Sequence, residues 1–132
     1  MKKVKIVSLE EINKVSGEVV DAAMEVHSAL GPGLLESAYE HCLAHELTER
    51  GLKVERQVPV PLEYKNTQLD AGFRADLLVE ESLIVELKTV EEILPIHEAQ
   101  IFTYLKLTGG RVGLLLNFNV RSMKNGIKRI IL

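Results

Sequence analysis

The chain is short of cysteine: Cys42 is the only one in its 132 residues, so no internal disulfide can form. Cys42 falls in a helical pattern, where it reads as a small core residue rather than a nucleophile. A reducing, cytoplasmic setting fits that usage best. Long apolar runs are missing too. None approaches the ~20 residues that a membrane span requires. The opening stretch MKKVKIVSLEE lacks a secretory h-region and cleavage site, so no membrane association is expected. Linkers, internal repeats and low-complexity segments are equally lacking. The expectation is a single domain over residues 1–132, long enough to bury its own core.

Acid is missing from the last third. All 19 acidic residues lie between Glu10 and Glu98, whereas Lys106, Arg111, Arg121, Lys124, Lys128 and Arg129 follow with no carboxylate among them. A net charge of -3 argues weakly against a nucleic-acid partner, but the distribution matters more than the sum. It allows a positively charged face beside an acidic pocket, which suits phosphate binding next to a metal. It equally describes a solvated charge pattern on two C-terminal strands. Hydrophobic content of 46% and charged content of 27% are those of an ordinary soluble globular protein.

What is present is clear periodicity. Ile12, Val15, Val19, Ala22, Val26 and Leu30 recur at the three-and-four spacing of an amphipathic helix from Leu9 to Leu30. Ser8 and Glu11 form a capping-box pattern at its start, and Gly31-Pro32-Gly33 stops it. A second helix is expected from about Leu34 to Arg50, with Gly51 as its stop. Strand-like stretches follow from Val54 to Leu62, where Pro59 and Pro61 suggest an edge, and at Tyr64 before a Lys65-Asn66 turn. A third helix spans about Pro95 to Leu107, ended by Gly109-Gly110. Arg111 to Asn117 reads as a buried strand and Gly126 to Leu132 as a last one. This order predicts a single α/β domain with a mixed sheet.

The run from Ala71 to Thr89 (AGFRADLLVEESLIVELKT) reads as two strands joined by an acidic turn. Along the second strand, Ile84, Glu86 and Lys88 point one way and Leu83, Val85 and Leu87 the other. A carboxylate and an ammonium two residues apart on a buried strand need a partner, because unpaired buried charge is costly. Asp76 on the first strand brings a second carboxylate. Two carboxylates and a lysine at a strand pair are the parts of a metal-dependent phosphodiester hydrolase site. The competing reading makes Glu86 and Lys88 an ion pair on a solvated edge and Asp76 a strand-end charge. His41 and His45, four apart on a helix, lack a third ligand for zinc. His27 reads as a hydrogen-bonded structural residue.

Further motifs extend the pattern. Gly33-Leu34-Leu35-Glu36-Ser37-Ala38-Tyr39 reads G-x-x-E-x-x-Y. After Asp76 and Glu86-Leu87-Lys88 come Gln100-Ile101-Phe102-Thr103-Tyr104, Asn117-Phe118-Asn119 and Gly126-Ile127-Lys128-Arg129. From about Val19 to the C-terminus the chain resembles the GxxExxY family, a small single-domain branch of the PD-(D/E)XK nuclease-like superfamily. The resemblance implies a single-domain α/β fold with a central mixed sheet flanked by helices. It also implies Mg2+ or Mn2+ as cofactor and phosphodiester cleavage of nucleic acid, with DNA as the first expectation and RNA as the alternative.

Carried over by residue, the resemblance makes Asp76, Glu86 and the Leu87 carbonyl metal ligands, with Glu36 completing the shell. Lys88 becomes the catalytic lysine beside Glu36, Asp76 and Glu86. Gln100 and Tyr104 match a Q-x-x-x-Y pattern found elsewhere in the superfamily. With Tyr39 and Lys106 they are the expected substrate-binding residues. Simpler roles stay open: Glu36 lies where an acid favours a helix N-terminus, and Tyr104 suits an amphipathic core. The rival functions are a nucleic-acid or nucleotide binding module without turnover, and a protein-interaction subunit with a vestigial site. No separate recognition domain is present, so sequence-specific cutting would require a homodimer or a partner protein.

Overall fold

The computed structural model describes residues 4–132, apart from the side chains of residues 70–72; the first three residues of the expected domain lie outside it. Helix α1 is Leu9–Leu30, the span expected from its spacing, and the Ser8 hydroxyl accepts from the Glu11 amide at its start. Helix α2 is Glu36–Glu49. Strands β1 (Val54–Tyr64), β2 (Thr67–Val79) and β3 (Leu83–Lys88) follow, then α3 (Pro95–Thr108), β4 (Val112–Asn117) and β5 (Ile127–Ile131). Among the described residues no helix is long and apolar enough to cross a membrane.

The strands form one five-stranded sheet in the order β1-β2-β3-β4-β5. Only β3 and β4 run parallel, joined by α3, and the other neighbours are antiparallel. The sheet is therefore mixed, and Pro59 and Pro61 sit on an edge strand, where a missing amide does no harm. Lys65 and Asn66, both at positive φ, make the two-residue β1–β2 turn.

Each face of the sheet carries its own core. Helices α1 and α2 cover one face, where Val19, Tyr39, Leu43, Leu47, Leu77, Val85, Leu87, Leu114 and Phe118 pack. Helix α3 covers the other, against Val58, Val60, Ala75, Leu78, Ile84 and Ile130. Arg50 ties α2 to α1 by pairing with Asp21 and Glu25 at 2.8 Å, and Glu46 of α2 holds it in place at 2.9 Å, though pairs this exposed add little. At the far side of β4, Gly126 lies so close under the Asn117 carbonyl that any larger residue would drive its Cβ into backbone.

Besides a register shift between Val60 and Leu62, the β1–β2 hairpin carries an exchange of faces. Val54 packs on the α1/α2 side, whereas Val58 and Val60, on even positions of the same strand, pack on the α3 side. Across from them Leu77 and Val79 face α1/α2, yet Ala75 faces α3. Both strands therefore exchange faces at one level, between Arg56↔Leu77 and Val58↔Ala75, without losing register. Gln57 makes the exchange in β1 by adopting φ 51°. For a residue with a Cβ that conformation costs about 1–2 kcal/mol.

Candidate active site

The exchange of faces opens the sheet beside Asp76. The β2–β3 ladder ends at Leu77↔Val85. Beyond it, side chains replace the backbone bonds: the Asp76 amide donates to Glu86 Oε1 at 3.0 Å, and the Leu87 amide donates to Asp76 Oδ2 at 2.8 Å. Two carboxylates thus meet where two strands part. Glu86 is only 4% exposed on a strand flanked on both sides, which removes the solvated-edge reading. Burial, and then the Asp76 charge, push its carboxyl up to about 9.

Other elements converge on the pair. Lys88, at the end of β3, donates from Nζ to Gln100 Oε1 on α3 at 3.3 Å. The first turn of α2 brings Glu36 within electrostatic reach: burial and then Asp76 raise its pKa, while Lys88 lowers it. Tyr104 is pushed up to about 12 by burial and then by Glu86 and Asp76. Lys88, Gln100 and Tyr104 open into a groove of about 410 Å³ whose walls also include Phe73, Ile96, His97, Ala99 and Thr103. The Phe73 ring stands 5.6 Å from that of Tyr104. His97 also accepts from the Leu94 amide at 3.0 Å and so caps α3.

Two expected substrate residues are not brought here. Tyr39 is fully buried, stacked on Phe118 at 4.6 Å, with its hydroxyl between the Gly31 carbonyl and the Leu34 amide. It fixes the turn that leads into α2, and thereby Glu36, rather than meeting a ligand. Lys106 is exposed and is not among the residues that line the groove. His27, as expected, is structural, its Nε2 2.7 Å from the Val120 carbonyl.

Glu40 and Gln57 escaped the sequence reading, and Asn117 entered it only within a motif, with no role. Glu40, 6% exposed, takes Gln57 Nε2 on Oε1 at 2.6 Å and Arg56 on Oε2 at 3.1 Å. Its position one turn after Glu36 was the available signal. Gln57 also reaches Asp76 Oδ1 at 3.3 Å, and nothing in the sequence marks a glutamine for a left-handed backbone. Asn117, buried at the end of β4, accepts from the Val90 amide at 3.1 Å and donates to the Val90 carbonyl at 2.8 Å. It anchors the segment that carries Lys88 toward α3.

Whether a divalent cation fits is a question of donor chemistry. Hard carboxylate oxygens suit magnesium or manganese, and a dication would offset the burial and the Asp76 charge that raise the Glu86 pKa. As they stand, Asp76 and Glu86 are turned onto backbone amides. Among the described residues no three His, Cys, Asp or Glu side chains are grouped to hold a metal. The fit is thus to a carboxylate pair with Glu36 in electrostatic reach. A family model described as the PD-(D/E)XK nuclease superfamily matches residues 13–130. Nucleases of that superfamily generally use divalent metal ions and act on nucleic acid. Searches of curated proteins and of solved structures gave no match.

Proposed function

This chain belongs to the PD-(D/E)XK nuclease superfamily, and from that premise we propose a metal-dependent hydrolase of phosphodiester bonds in DNA, of the GxxExxY branch. The observation that carries the reading is the meeting of Asp76 and Glu86 at the parting of β2 and β3, with Lys88 at the mouth of the groove. Asp76, Glu86 and the Leu87 carbonyl would hold Mg2+ or Mn2+, with Glu36 completing the shell. The cation supplies an acidified water and positive charge against the charge that develops on the phosphate.

The protein's own groups do the rest. Gln100 holds the Lys88 ammonium at the groove, where it neutralises a phosphate oxygen or holds the attacking water. Phe73, exposed beside the buried Tyr104, offers a ring face on which a base can stack. The groove's volume of about 410 Å³ is on the scale of one nucleotide unit, and single-stranded or frayed DNA is the substrate form we favour. A binding module without turnover is the second reading, favoured by carboxylates that are already satisfied by backbone amides.

Lys88→Met separates the two. A protonated lysine does not ligate a hard cation, so the variant should fold and still bind manganese. Cleavage of single-stranded, duplex and RNA oligonucleotides should fall at least ~100-fold, equivalent to about 2.7 kcal/mol of transition-state stabilisation. Equal residual cutting by parent and variant would identify a contaminant and leave the binding module standing.

A further inference from the structure

Gln57 does two things at once, and they can be pulled apart. Its backbone makes the exchange of faces in β1, which sends Val58 and Val60 to the α3 side. Its side chain spans the two carboxylates that flank it. Both partners are carboxylate oxygens, which only accept, so the amide nitrogen must be the group that faces them. Nε2 donates to Glu40 Oε1 at 2.6 Å and to Asp76 Oδ1 at 3.3 Å.

The partners on either side are themselves held. Glu40 is buried, and Arg56 occupies its other oxygen. The second oxygen of Asp76 takes the Leu87 amide, and the Gln57 carbonyl accepts from Arg74 at 3.2 Å. A chain of bonds therefore runs from α2 through β1 and β2 to β3, and Gln57, at the level of Asp76 in the β1–β2 hairpin, is the link between Glu40 and Asp76. The donor is neutral. An arginine or lysine there would cancel the Asp76 charge, whereas an amide orients the carboxylate and leaves its charge for a cation.

From this geometry we infer that Gln57 is a positioning residue, which fixes the Asp76 carboxylate for metal binding through an amide bridge braced by Glu40. The inference rests on the proposed site at Asp76 and Glu86, and adds a residue outside its carboxylates and lysine.

Gln57→Gly tests it, because glycine adopts the left-handed backbone freely and removes only the amide. The exchange of faces, and with it the fold, should persist, because relief of the left-handed strain offsets the loss of the donor to buried Glu40. Calorimetry should then find manganese affinity lowered ~10–100-fold, the usual effect of losing a group that orients a ligand. With manganese saturating, kcat on a single-stranded oligonucleotide should fall while KM stays near the parent's. Gln57→Asn provides a second reading: asparagine tolerates this backbone but is one carbon too short to span both carboxylates, so it too should bind manganese more weakly. A folded Gln57→Gly or Gln57→Asn that binds manganese within about twofold of the parent overturns the inference and leaves the site reading intact. A parent that binds no manganese overturns the site reading, and this inference falls with it.

Discussion

The two faces of the sheet are built on the same strands yet serve different ends. Under α1 and α2 the packing is closed: Tyr39, Leu43, Leu47, Leu87 and Phe118 are all fully buried, and the tyrosine hydroxyl is used up on a turn. Under α3 the equivalent depth holds Glu86, with Lys88, Gln100 and Tyr104 opening into a groove. On β3 the division falls between adjacent residues, Leu87 going to one side and Glu86 to the other. One face supplies the surplus of stability that lets the other keep a buried carboxylate beside another acid. A site of this kind is destabilising in isolation, since two like charges near each other favour the unfolded chain.

That division can be broken at its stronger side. Leu43→Ala should cost about 2–5 kcal/mol in denaturant unfolding, from lost burial and a residual cavity. Manganese affinity of the folded variant should stay at the parent's value. Were affinity to fall in step with stability, the two faces would be one cooperative device and the comparison would fail.

The next effect lies at Glu86 and has a definite sign in pH. Its folded pKa, about 9, stands above the 4.5 of a glutamate free in water, so between these values the folded state binds more protons than the unfolded. Stability of the metal-free protein should therefore be fullest below the unfolded value and decline as pH rises toward 9. Thermal midpoints in chelator across that range would trace it. Glu86→Gln should flatten most of the slope and raise the midpoint at pH 8. Added manganese should stabilise the parent at pH 8 and leave Glu86→Gln nearly unchanged. A parent whose midpoint is flat from pH 5 to 9 would place Glu86 in a far more polar setting than its burial indicates.

The smallest effect concerns the basic residues. Arg121 and Lys124 follow β4 at the end of the sheet where Lys88 pairs with Asn117, and both are exposed. Lys128 is already paired with Glu98 at 3.2 Å. If the exposed cations meet phosphate, Lys124→Glu should flatten the log-log salt dependence of binding by about 0.7 on single strands and about 0.9 on duplex. Lys128→Glu should change it less. Filter binding across a salt series measures both slopes, and an affinity indifferent to salt would assign binding to the groove alone.

Much of the architecture was legible because local signals agreed with one another. The α1 spacing, the Ser8 cap, the edge prolines, the Lys65-Asn66 turn and the apolar β4 each named their element correctly. The same alternation placed Glu86 and Lys88 on one face of β3. Asp76, Glu86, Lys88, Gln100 and Tyr104, read as motifs, do come together, with Glu36 near them. Tyr39 misled because a motif tyrosine and a core tyrosine carry the same letter, and only the packing of Phe118 against it tells them apart. Lys106 misled because its charge suited phosphate, while other residues of α3 line the groove.

The chain's order of apolar and polar residues thus determined the helices, the strands and the faces of β3, since periodicity is a local property that each segment carries with it. Tertiary structure alone decided that β1 and β2 exchange faces at Gln57 and Asp76. It alone joined Glu40 to the site through a glutamine nineteen positions before Asp76. A left-handed glutamine in the middle of a strand has no sequence signature, because nothing local favours it. It persists only where Val58, Val60 and Ala75 on one side of the sheet, and Val54 and Leu77 on the other, bury enough apolar surface to outweigh its cost.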